Sequence, residues 1–434
     1  MKKINAFMHS LNKGSFTKNV LMITGGTVFA QGLSVFLSPV ITRLYTPEDY
    51  GVLTVYGAFL GMINLLGAFS YDSAIPIADD DEKAFNILTL CLSILLFATT
   101  ALLILLFFAG DSLLEFFNAE QILDYKYFIP IGFFLTGLYT VMSQWAFRKK
   151  EFKSITITKY SQSITGNSIK ITMGLFGINS IGLILGNIFS QSAGILTLIK
   201  PHITEFKKMI KEIKFQEIKR LSKRYINFPL FTAPGLFVLS ASGQLPTLFM
   251  TFLYGANIVG LYGLARSITF LPMRIIGKSV QDVFYSEAAS IGKSNPIKIK
   301  KLSNKLLKKL VLLGGVPMII LGLFGPVLFS FIFGEDWEIA GVFARLLSIE
   351  SFFHFIFHPI STIFSIFEQQ KTSFLLSIGK LLLVLSIFGI ANVYNWGYYA
   401  IVFIFSVAMA VIELLKYVLA QKIIDEEISK VIGS

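Results

Sequence analysis

The feature that most constrains this chain is a succession of long apolar segments separated by short charged ones. A bilayer core takes about 20 apolar residues per helix, and 54% of the residues are hydrophobic while 15% are charged. We therefore predict an all-α membrane protein, because a helix satisfies its own backbone hydrogen bonds inside lipid. Twelve transmembrane helices are expected, at residues 18–41, 50–72, 85–109, 127–147, 154–176, 180–199, 227–253, 257–280, 309–333, 339–366, 372–391 and 396–420.

The basic residues of the loops predict how the chain crosses the membrane. Lysine and arginine accumulate on the cytoplasmic side, and with the N-terminus inside, 28 of the 38 basic residues lie there. Only Arg43 and Lys126 lie in loops on the other side. We predict that both termini are cytoplasmic. The net charge of +12 then faces membrane lipids, which are the expected partner of these loops, rather than nucleic acid.

A basic segment at mid-chain divides the predicted helices into two groups of six. Between residues 201 and 226, apolar residues recur at close to helical spacing among lysines. This pattern predicts an amphipathic linker helix that lies on the inner surface. We predict an N-terminal six-helix bundle over residues 1–200, the linker over 201–226 and a C-terminal six-helix bundle over 227–434.

A short internal repeat favours two related halves. Leu44-Tyr45 precedes Gly51, and Leu253-Tyr254 precedes Gly260 at the same spacing, 209 residues later. Two six-helix repeats are a common plan of transporters, whose binding site lies at the interface of the repeats. We therefore expect pseudo-symmetric bundles.

Basic residues inside the predicted spans are the candidate binding residues. A charge at mid-bilayer costs about 3 kcal/mol or more unless it meets water or a partner. Eight such cations outnumber five acids in or beside the spans, although Lys278 with Asp282 and Lys416 with Glu413 have the spacing of ion pairs. The excess suits an anionic phosphate or diphosphate. Arg266, Arg274 and Lys278 are predicted to share one face of span eight. Lys278 and Lys159 could instead extend toward the membrane–water interface. The full set of candidates is Arg266, Arg274, Lys170, Lys380, Lys278 and Lys159.

Three ionisable residues recur every four positions in span ten. Glu350, His354 and His358 are followed by Pro359 and would lie on one helical face. They are candidates for proton coupling, because carboxylate and imidazole exchange protons near neutral pH, or else polar packing beside a kink. No metal is expected, because one membrane helix offers no further ligand. No cofactor is expected, and ATP hydrolysis is not expected because a Walker-type glycine loop is missing.

Span five is the least apolar of the twelve. It carries Ser161, Gln162, Ser163, Thr165, Asn167 and Ser168. Such side chains either bind sugar hydroxyls and water or join helices by hydrogen bonds. The sequence leaves both interpretations open.

Two motifs near the N-terminus carry a family resemblance. "FAQGLSVFLSPVITRLYTPEDYGVLTVYGAF" and "SYDSAIPIADDDEKAFNI" resemble the N-terminal part of Wzx-type oligosaccharide flippases. These proteins form the polysaccharide-exporter branch of the multidrug/oligosaccharidyl-lipid/polysaccharide exporter superfamily. The resemblance implies two bundles around a central cationic cavity in the bacterial inner membrane. It also implies that an undecaprenyl-diphosphate-linked oligosaccharide, of the O-antigen or capsule type, moves from the cytoplasmic to the periplasmic leaflet by alternating access.

The same motif supplies candidate gate residues. Arg43 is basic on the predicted outer side and is followed by Glu48 and Asp49. We predict that Arg43 contacts these acids or the departing diphosphate. A coupling ion, H⁺ or Na⁺, and glycan polymerase machinery are the other expected partners.

Two alternatives to a flippase remain open. A multidrug or cation antiporter of the same superfamily would use unpaired carboxylates rather than surplus cations. Another membrane protein of surface-glycan assembly, such as a polymerase or ligase, would present a long outer loop, whereas the longest here has about seventeen residues. A transporter rather than an enzyme is therefore predicted.

Overall fold

The computed structural model describes residues 15–293 and 295–433, and these residues form helices and turns without a β-strand. The all-α prediction is confirmed. The helices are α1 (Ser15–Thr42), α2 (Pro47–Ile63), α3 (Asp81–Phe116), α4 (Phe128–Arg148), α5 (Phe152–Leu175), α6 (Asn179–Ser192), α7 (Ile195–Ile199), α8 (Ile203–Met209), α9 (Phe215–Arg224), α10 (Ala233–Thr269), α11 (Lys278–Ile291), α12 (Pro296–Phe333), α13 (Glu338–Phe357), α14 (Ile363–Ile366), α15 (Gln370–Val393) and α16 (Tyr398–Gly433).

Nine helical stretches of the described chain are long and apolar enough to cross a membrane. The protein is thus a multi-pass membrane protein. The nine differ from the twelve predicted spans at three places. Helices α4 and α5 are not among them, and serine, threonine, glutamine and lysine lower the apolarity of α5. Helix α10 contains both span seven and span eight. The count of twelve stays a prediction.

Helix α10 is interrupted at one glycine. Gly255 has φ 76° and ψ −176°, a conformation that side-chain-bearing residues rarely adopt. The chain bends there between predicted spans seven and eight. Its neighbour Tyr254 donates a hydrogen bond from its hydroxyl to the carbonyl of Trp396 at 2.5 Å.

The chain folds into two compact units. The first comprises the described residues up to Tyr45 together with Tyr56–Ser240, and the second comprises Thr46–Val55 together with the described residues from Ala241 onward. Only residues 50–55, the first six of the second predicted span, thus pack with the C-terminal part of the chain. The predicted bounds of 1–200, 201–226 and 227–434 stay predictions.

In the first unit, the mid-chain linker is not the single helix that was predicted. It consists of α8 and α9, separated by an extended Ile213 (φ −69°, ψ 118°). The side chain of Asn86 in α3 accepts a hydrogen bond from the Lys214 amide at 3.2 Å and donates one to the Glu212 carbonyl at 3.5 Å. The break is therefore supported by α3, which satisfies backbone groups that a continuous helix would have paired internally.

In the second unit, the two repeated glycines meet at a helix crossing. A Cβ placed on Gly51 would lie 2.1 Å from the Ala256 oxygen, and one on Gly260 would lie 1.8 Å from the Pro47 oxygen. The contact is reciprocal, because Ala256 and Gly260 follow Pro47 and Gly51 by the same 209 residues. Only glycine permits this approach, which supports the internal repeat.

Loops that were predicted to share a side of the membrane meet within each unit. In the first unit, Asp79 pairs with Arg224 of α9 at 2.6 Å. In the second, Lys293 pairs with Glu368 at 2.8 Å, and Lys300 pairs with Asp425. This agrees with the predicted alternation of spans, while the orientation of the termini stays a prediction.

Candidate functional site

Four helices of the second unit bring buried and half-buried charged side chains together. Helix α10 contributes Arg266, α13 contributes Glu350 and His354, α15 contributes Lys380, and α16 contributes Glu413 and Lys416. His358 follows α13 directly. We call the seven residues the charge cluster: Arg266, Glu350, His354, His358, Lys380, Glu413 and Lys416.

Glu413 lies at the centre of the closest contacts in the charge cluster. It is 2% exposed. Its Oε1 lies 3.1 Å from the Lys416 Nζ and 3.2 Å from the His354 Nδ1. Its Oε2 is buried and has no hydrogen-bond partner among the described residues. The pairing with Lys416 was predicted, but a site role for Glu413 was not, because the contact with His354 joins residues 59 positions apart.

Glu350 is the second carboxylate of the charge cluster. It is 6% exposed and interacts electrostatically with Arg266 and Lys380, with His354 and with Glu413. Its Oε2, too, lacks a hydrogen-bond partner in the described chain. The two acids therefore lie near cations, but each keeps one carboxylate oxygen that no cation of the described chain contacts by a hydrogen bond.

The histidines continue this arrangement along α13, as the four-residue spacing predicted. The rings of His354 and His358 stack with centroids 4.4 Å apart. The Nδ1 atom of His358 is buried without a hydrogen-bond partner in the part of the chain that is described. Glu413 of α16, His354 of α13 and His358 after it thus form a line of titratable groups.

The cations of the charge cluster are held in different ways. Arg266 donates to the Gly243 carbonyl at 2.8 Å and lies 5.9 Å from the Phe270 ring centre. Lys380 is half-buried, and its ammonium forms no hydrogen bond or close ion pair within residues 15–293 and 295–433. With both acids ionised and both histidines neutral, three cations exceed two anions by one charge.

The same cluster contains a potential metal-ligand set. One ligand atom each of His354, His358 and Glu413 lie within 4.8 Å of one another. Helix α16 thus supplies the further ligand that a single helix lacked. We nevertheless assign no metal here, because Lys416 already occupies the Glu413 Oε1 and the surplus positive charge opposes a divalent cation.

The common helical face predicted for Arg266, Arg274 and Lys278 stays a prediction. It assumed a continuous helix, but α10 ends at Thr269 and a π-helical turn occupies Met273–Gly277. Arg274 is exposed and donates to the Ser267 carbonyl. Lys278 is exposed and pairs with Asp282 at 2.8 Å, as its spacing predicted. Their roles in binding stay predictions.

Lys170 and Lys159 lie in the first unit on α5, eleven residues or three turns apart. Lys170 is half-buried along Gly186, and its ammonium has no hydrogen bond or ion pair among the described residues. The Lys159 Nζ lies 3.3 Å from the Gln162 Oε1 and 5.0 Å from the Tyr139 ring centre. Lys170 is therefore the more available of the two for an anion.

The polar face of α5 mainly joins helices. Ser163 donates to the Ala30 carbonyl of α1 at 2.9 Å, and the Asn167 Nδ2 donates to the Ser34 Oγ at 3.0 Å. Gln162 donates to the Gln191 carbonyl of α6 at 2.9 Å. These contacts favour the packing interpretation for the three residues over sugar binding.

The predicted gate residues lie at the start of α2. Arg43 and Glu48 are exposed. Asp49 is buried, and its Oδ2 accepts hydrogen bonds from the Thr46 amide and hydroxyl at 3.0 and 2.9 Å. The Thr46 hydroxyl in turn accepts from the Asp49 amide at 3.2 Å. Asp49 therefore caps the helix, and the gate role of all three residues stays a prediction.

The second motif of the sequence, "SAIPIADDDEKA", attaches the linker to the first unit. Asp81 accepts hydrogen bonds from the Arg148 Nε at 2.7 Å and from the Lys149 Nζ at 2.6 Å. Lys149 also pairs with Glu205 of α8 at 2.5 Å. We call these residues, with Asp79 and Arg224, the linker network.

Asp79 completes the linker network. The Arg224 guanidinium donates to both of its carboxylate oxygens, at 2.6 and 3.0 Å. Arg224 and then Lys83 hold the pKa of the Asp79 carboxyl well below its usual range. The motif therefore has a structural role that accounts for its acidic run.

This fold is the fold of a class of membrane transporters. The chain superposes on the inward-facing structure of a multidrug resistance MATE family transporter of the MOP superfamily with a TM-score of 0.71 and 15% identity, covering 92% of this chain and 96% of that one. It superposes on the lipid II flippase MurJ, inward closed, with a TM-score of 0.68 and 15% identity, covering 95% and 92%. A MOP superfamily transporter from Pyrococcus furiosus, described as having a binding pocket of reverse polarity, gives 0.60 at 15% identity over 96% and 98%.

The sequence identifies the family. Residues 40–342 match the family described as polysaccharide biosynthesis protein. The chain belongs to this family, which confirms the resemblance drawn from its N-terminal motifs. No curated protein matches the sequence at a significant level.

Proposed function

We propose that this protein is a flippase that moves an undecaprenyl-diphosphate-linked oligosaccharide from the cytoplasmic to the periplasmic leaflet by alternating access. The observation that carries the proposal is the surplus of positive charge in the charge cluster. Membership in a polysaccharide biosynthesis family supports a glycan as the cargo. The bacterial inner membrane and cytoplasmic termini belong to the same proposal.

The surplus favours an anionic head group for a physical reason. A buried or half-buried cation is unfavourable unless a counter-charge or water compensates it. Arg266 has only a backbone carbonyl as hydrogen-bond acceptor in the described chain, and Lys380 has none. A diphosphate offers several oxygens to such groups, and charge-assisted hydrogen bonds to phosphate are strong.

The first unit supplies a second set of candidate cations. Lys170 is available on α5, and Lys159 is held by a glutamine rather than by an acid. We assign them, after Arg266 and Lys380, to the same anionic substrate. Arg274 and Lys278 rank below these four, because both are exposed.

We also propose that a coupling ion uses the charge cluster. Glu350, His354 and His358 were the predicted proton path, and Glu413 joins it through its 3.2 Å contact with His354. H⁺ fits this line of imidazoles and carboxylates better than Na⁺, because Na⁺ prefers a shell of oxygen ligands. A glycan polymerase is the expected partner that receives the exported product.

The test is lipid translocation in proteoliposomes. Full-length protein is reconstituted with a fluorescent undecaprenyl-diphosphate-linked oligosaccharide, and an impermeant quencher measures how much of it reaches the outer leaflet over time. The Arg266→Ala/Lys380→Ala double variant should lose translocation. Lys422→Ala, which removes an exposed lysine of the second unit, should retain it. Normal translocation by the double variant would contradict the assignment.

A cation antiporter is the second candidate, favoured by one specific observation. Glu350 and Glu413 each keep a buried carboxylate oxygen without a hydrogen-bond partner in the described chain. A cationic drug would pair with such oxygens, although three neighbouring cations repel it. Uptake of a fluorescent cationic dye by the same vesicles, sensitive to Glu350→Gln and Glu413→Gln, would favour the antiporter.

A further inference from the structure

The two carboxylates of the charge cluster stand among the cations that a phosphate would need. Glu413 lies 3.1 Å from Lys416, and Glu350 interacts electrostatically with Arg266 and Lys380. Each acid still has one buried oxygen without a hydrogen-bond partner in the described residues. The acids are therefore counter-ions of these cations within the protein itself.

A negatively charged head group that approaches the same cations also approaches these acids. A bound phosphate disfavours the negative form of a neighbouring carboxylate and favours the positive form of a neighbouring imidazole, so both groups hold a proton more tightly. Binding linkage is reciprocal, so a proton on the cluster must strengthen phosphate binding by the same factor.

We infer that Glu350 and Glu413 are internal counter-ions which compete with a diphosphate head group for Arg266, Lys380 and Lys416, so that the diphosphate binds together with a proton. This inference rests on the proposed function and deepens it. It assigns Glu413 a role in selecting the substrate, although Glu413 would not itself contact the phosphate.

The groups that exchange the proton can be named from every helix around the cluster. Helix α10 faces it with Arg266 and with the buried hydroxyl of Tyr262, α15 with Lys380, and α16 with Lys416. Helix α13 and the following turn supply His354 and His358 beside Glu350. Free lysine and arginine side chains titrate well above pH 8, so we assign the proton to one of four other groups: Glu350, Glu413, His354 and His358.

The inference predicts an effect opposite to that of deleting a binding residue. Glu350→Gln and Glu413→Gln remove a competing charge at constant shape. Each variant should bind diphosphate more tightly, by about 5-fold or more, within the usual range of coupling between sites. Each should also lose part of the pH dependence of binding.

The experiment is isothermal titration calorimetry on the full chain in lipid nanodiscs. Inorganic pyrophosphate and farnesyl diphosphate are titrated in two buffers that differ in ionisation enthalpy, because the difference in heat gives the number of protons taken up. Comparing the two probes separates recognition of the diphosphate alone from recognition of a lipid diphosphate. Wild type should take up protons with both probes and bind more tightly as the pH falls from 8 to 6.

The control variant is Glu368→Gln, which neutralises an exposed acid of the same unit that pairs with Lys293. It should show the affinity and proton uptake of wild type. Protonation of the probe itself contributes equally to all variants, so it cancels in their comparison. Glu350→Gln alone suffices if Glu413→Gln does not fold, because no ion pair closer than 4.0 Å involves Glu350 in the described chain. Proton uptake by wild type can be measured without either variant.

The outcomes separate this inference from the proposed function. Proton uptake that the Gln variants lose, together with tighter binding, supports the inference. Diphosphate binding by wild type without proton uptake, or with the same affinity and uptake in the Gln variants, overturns it and leaves the flippase proposal standing. If folded wild type binds neither probe, the flippase proposal itself is contradicted.

Discussion

The linker network and the charge cluster are both built from acids, lysines and arginines, yet they differ in how many of their carboxylate oxygens and cations have a close partner. In the linker network, Asp81 accepts hydrogen bonds from two cationic side chains, and both carboxylate oxygens of Asp79 accept hydrogen bonds from the Arg224 guanidinium. In the charge cluster, Glu350 and Glu413 each retain an unpartnered oxygen, and Lys380 has no close acid among the residues described.

The difference separates a structural role from a functional one. Charges that border the membrane can be solvated, and a set of complete ion pairs there fixes α8 and α9 on the first unit at little cost. Charges inside the helices lose that solvation, so an incomplete set is expensive to keep. The charge cluster in the second unit keeps such an incomplete set of ion pairs, which is explained if a proton or an anionic ligand supplies the missing partner.

Removing Glu413 should have the largest effect on stability. Glu413→Ala leaves Lys416 and His354 without their carboxylate, and breaking a buried ion pair costs about 3–5 kcal/mol. We expect a lower thermal midpoint in detergent and low yield of folded protein. Glu413→Gln keeps the shape of the side chain but not its charge, so it should lose a similar amount of stability, and wild-type stability of Glu413→Gln would contradict a charge-based explanation.

Arg266→Ala should have the next largest effect, on binding rather than folding. The guanidinium donates only to the Gly243 carbonyl, so its removal leaves no acid unpaired by a hydrogen bond. Loss of a charge-assisted hydrogen bond costs about 1.5–3 kcal/mol, or roughly 10- to 150-fold in diphosphate affinity. Calorimetry measures the affinity, and unaltered binding would remove Arg266 from the site.

Breaking the linker network at Asp81 should have a smaller effect. Asp81→Asn weakens the contacts with Arg148 and Lys149, but the Asp81 side chain is 46% exposed. We expect a loss of about 1 kcal/mol or less in the free energy of unfolding, with translocation retained in the vesicle assay. Loss of translocation by a folded Asp81→Asn protein would show that the linker network is more than structural.

The smallest effect is expected from the titration of Asp79. Its pKa is depressed by Arg224 and Lys83, so its stabilising pair is present above the ordinary carboxyl pKa of about 4 and is lost as the pH falls below it. The protection factors of the amides in Phe215–Arg224, which correct for the intrinsic pH dependence of hydrogen exchange, should fall slightly at pH 3 and in high salt. Asp79→Asn should show the lower protection factors already at pH 7, with no further effect of salt.

Much of the fold could be predicted because a segment that crosses lipid must be apolar and must pair its own backbone groups, which a helix does. Each apolar segment predicted a helix, and the spacing of Glu350, His354 and His358 predicted their common face. Glu413 was missed as a site residue because helix packing, not local spacing, brings it to His354. The single-helix linker failed for the same reason, since Asn86, far away in sequence, supports the break.

The predicted common face of Arg266, Arg274 and Lys278 rests on a local assumption that the helix does not meet. A common face requires 3.6 residues per turn throughout, whereas the π-helical turn Met273–Gly277 changes the helical register after Pro272. Proline before a wide turn is a signal that the sequence did contain. Spacing beyond such a residue should not be used to assign side chains to one face.

The reciprocal glycine crossing implies that neither half of this gene encodes a complete folding unit. Thr46–Val55, which include the first two and a half turns or so of α2, pack with the C-terminal part of the chain. A protein cut within the linker would therefore have a second fragment that lacks these turns and leaves Ala256 and Gly260 uncovered. The fragments should therefore accumulate only when produced together. An insertion between them would be tolerated more readily than the loss of either one.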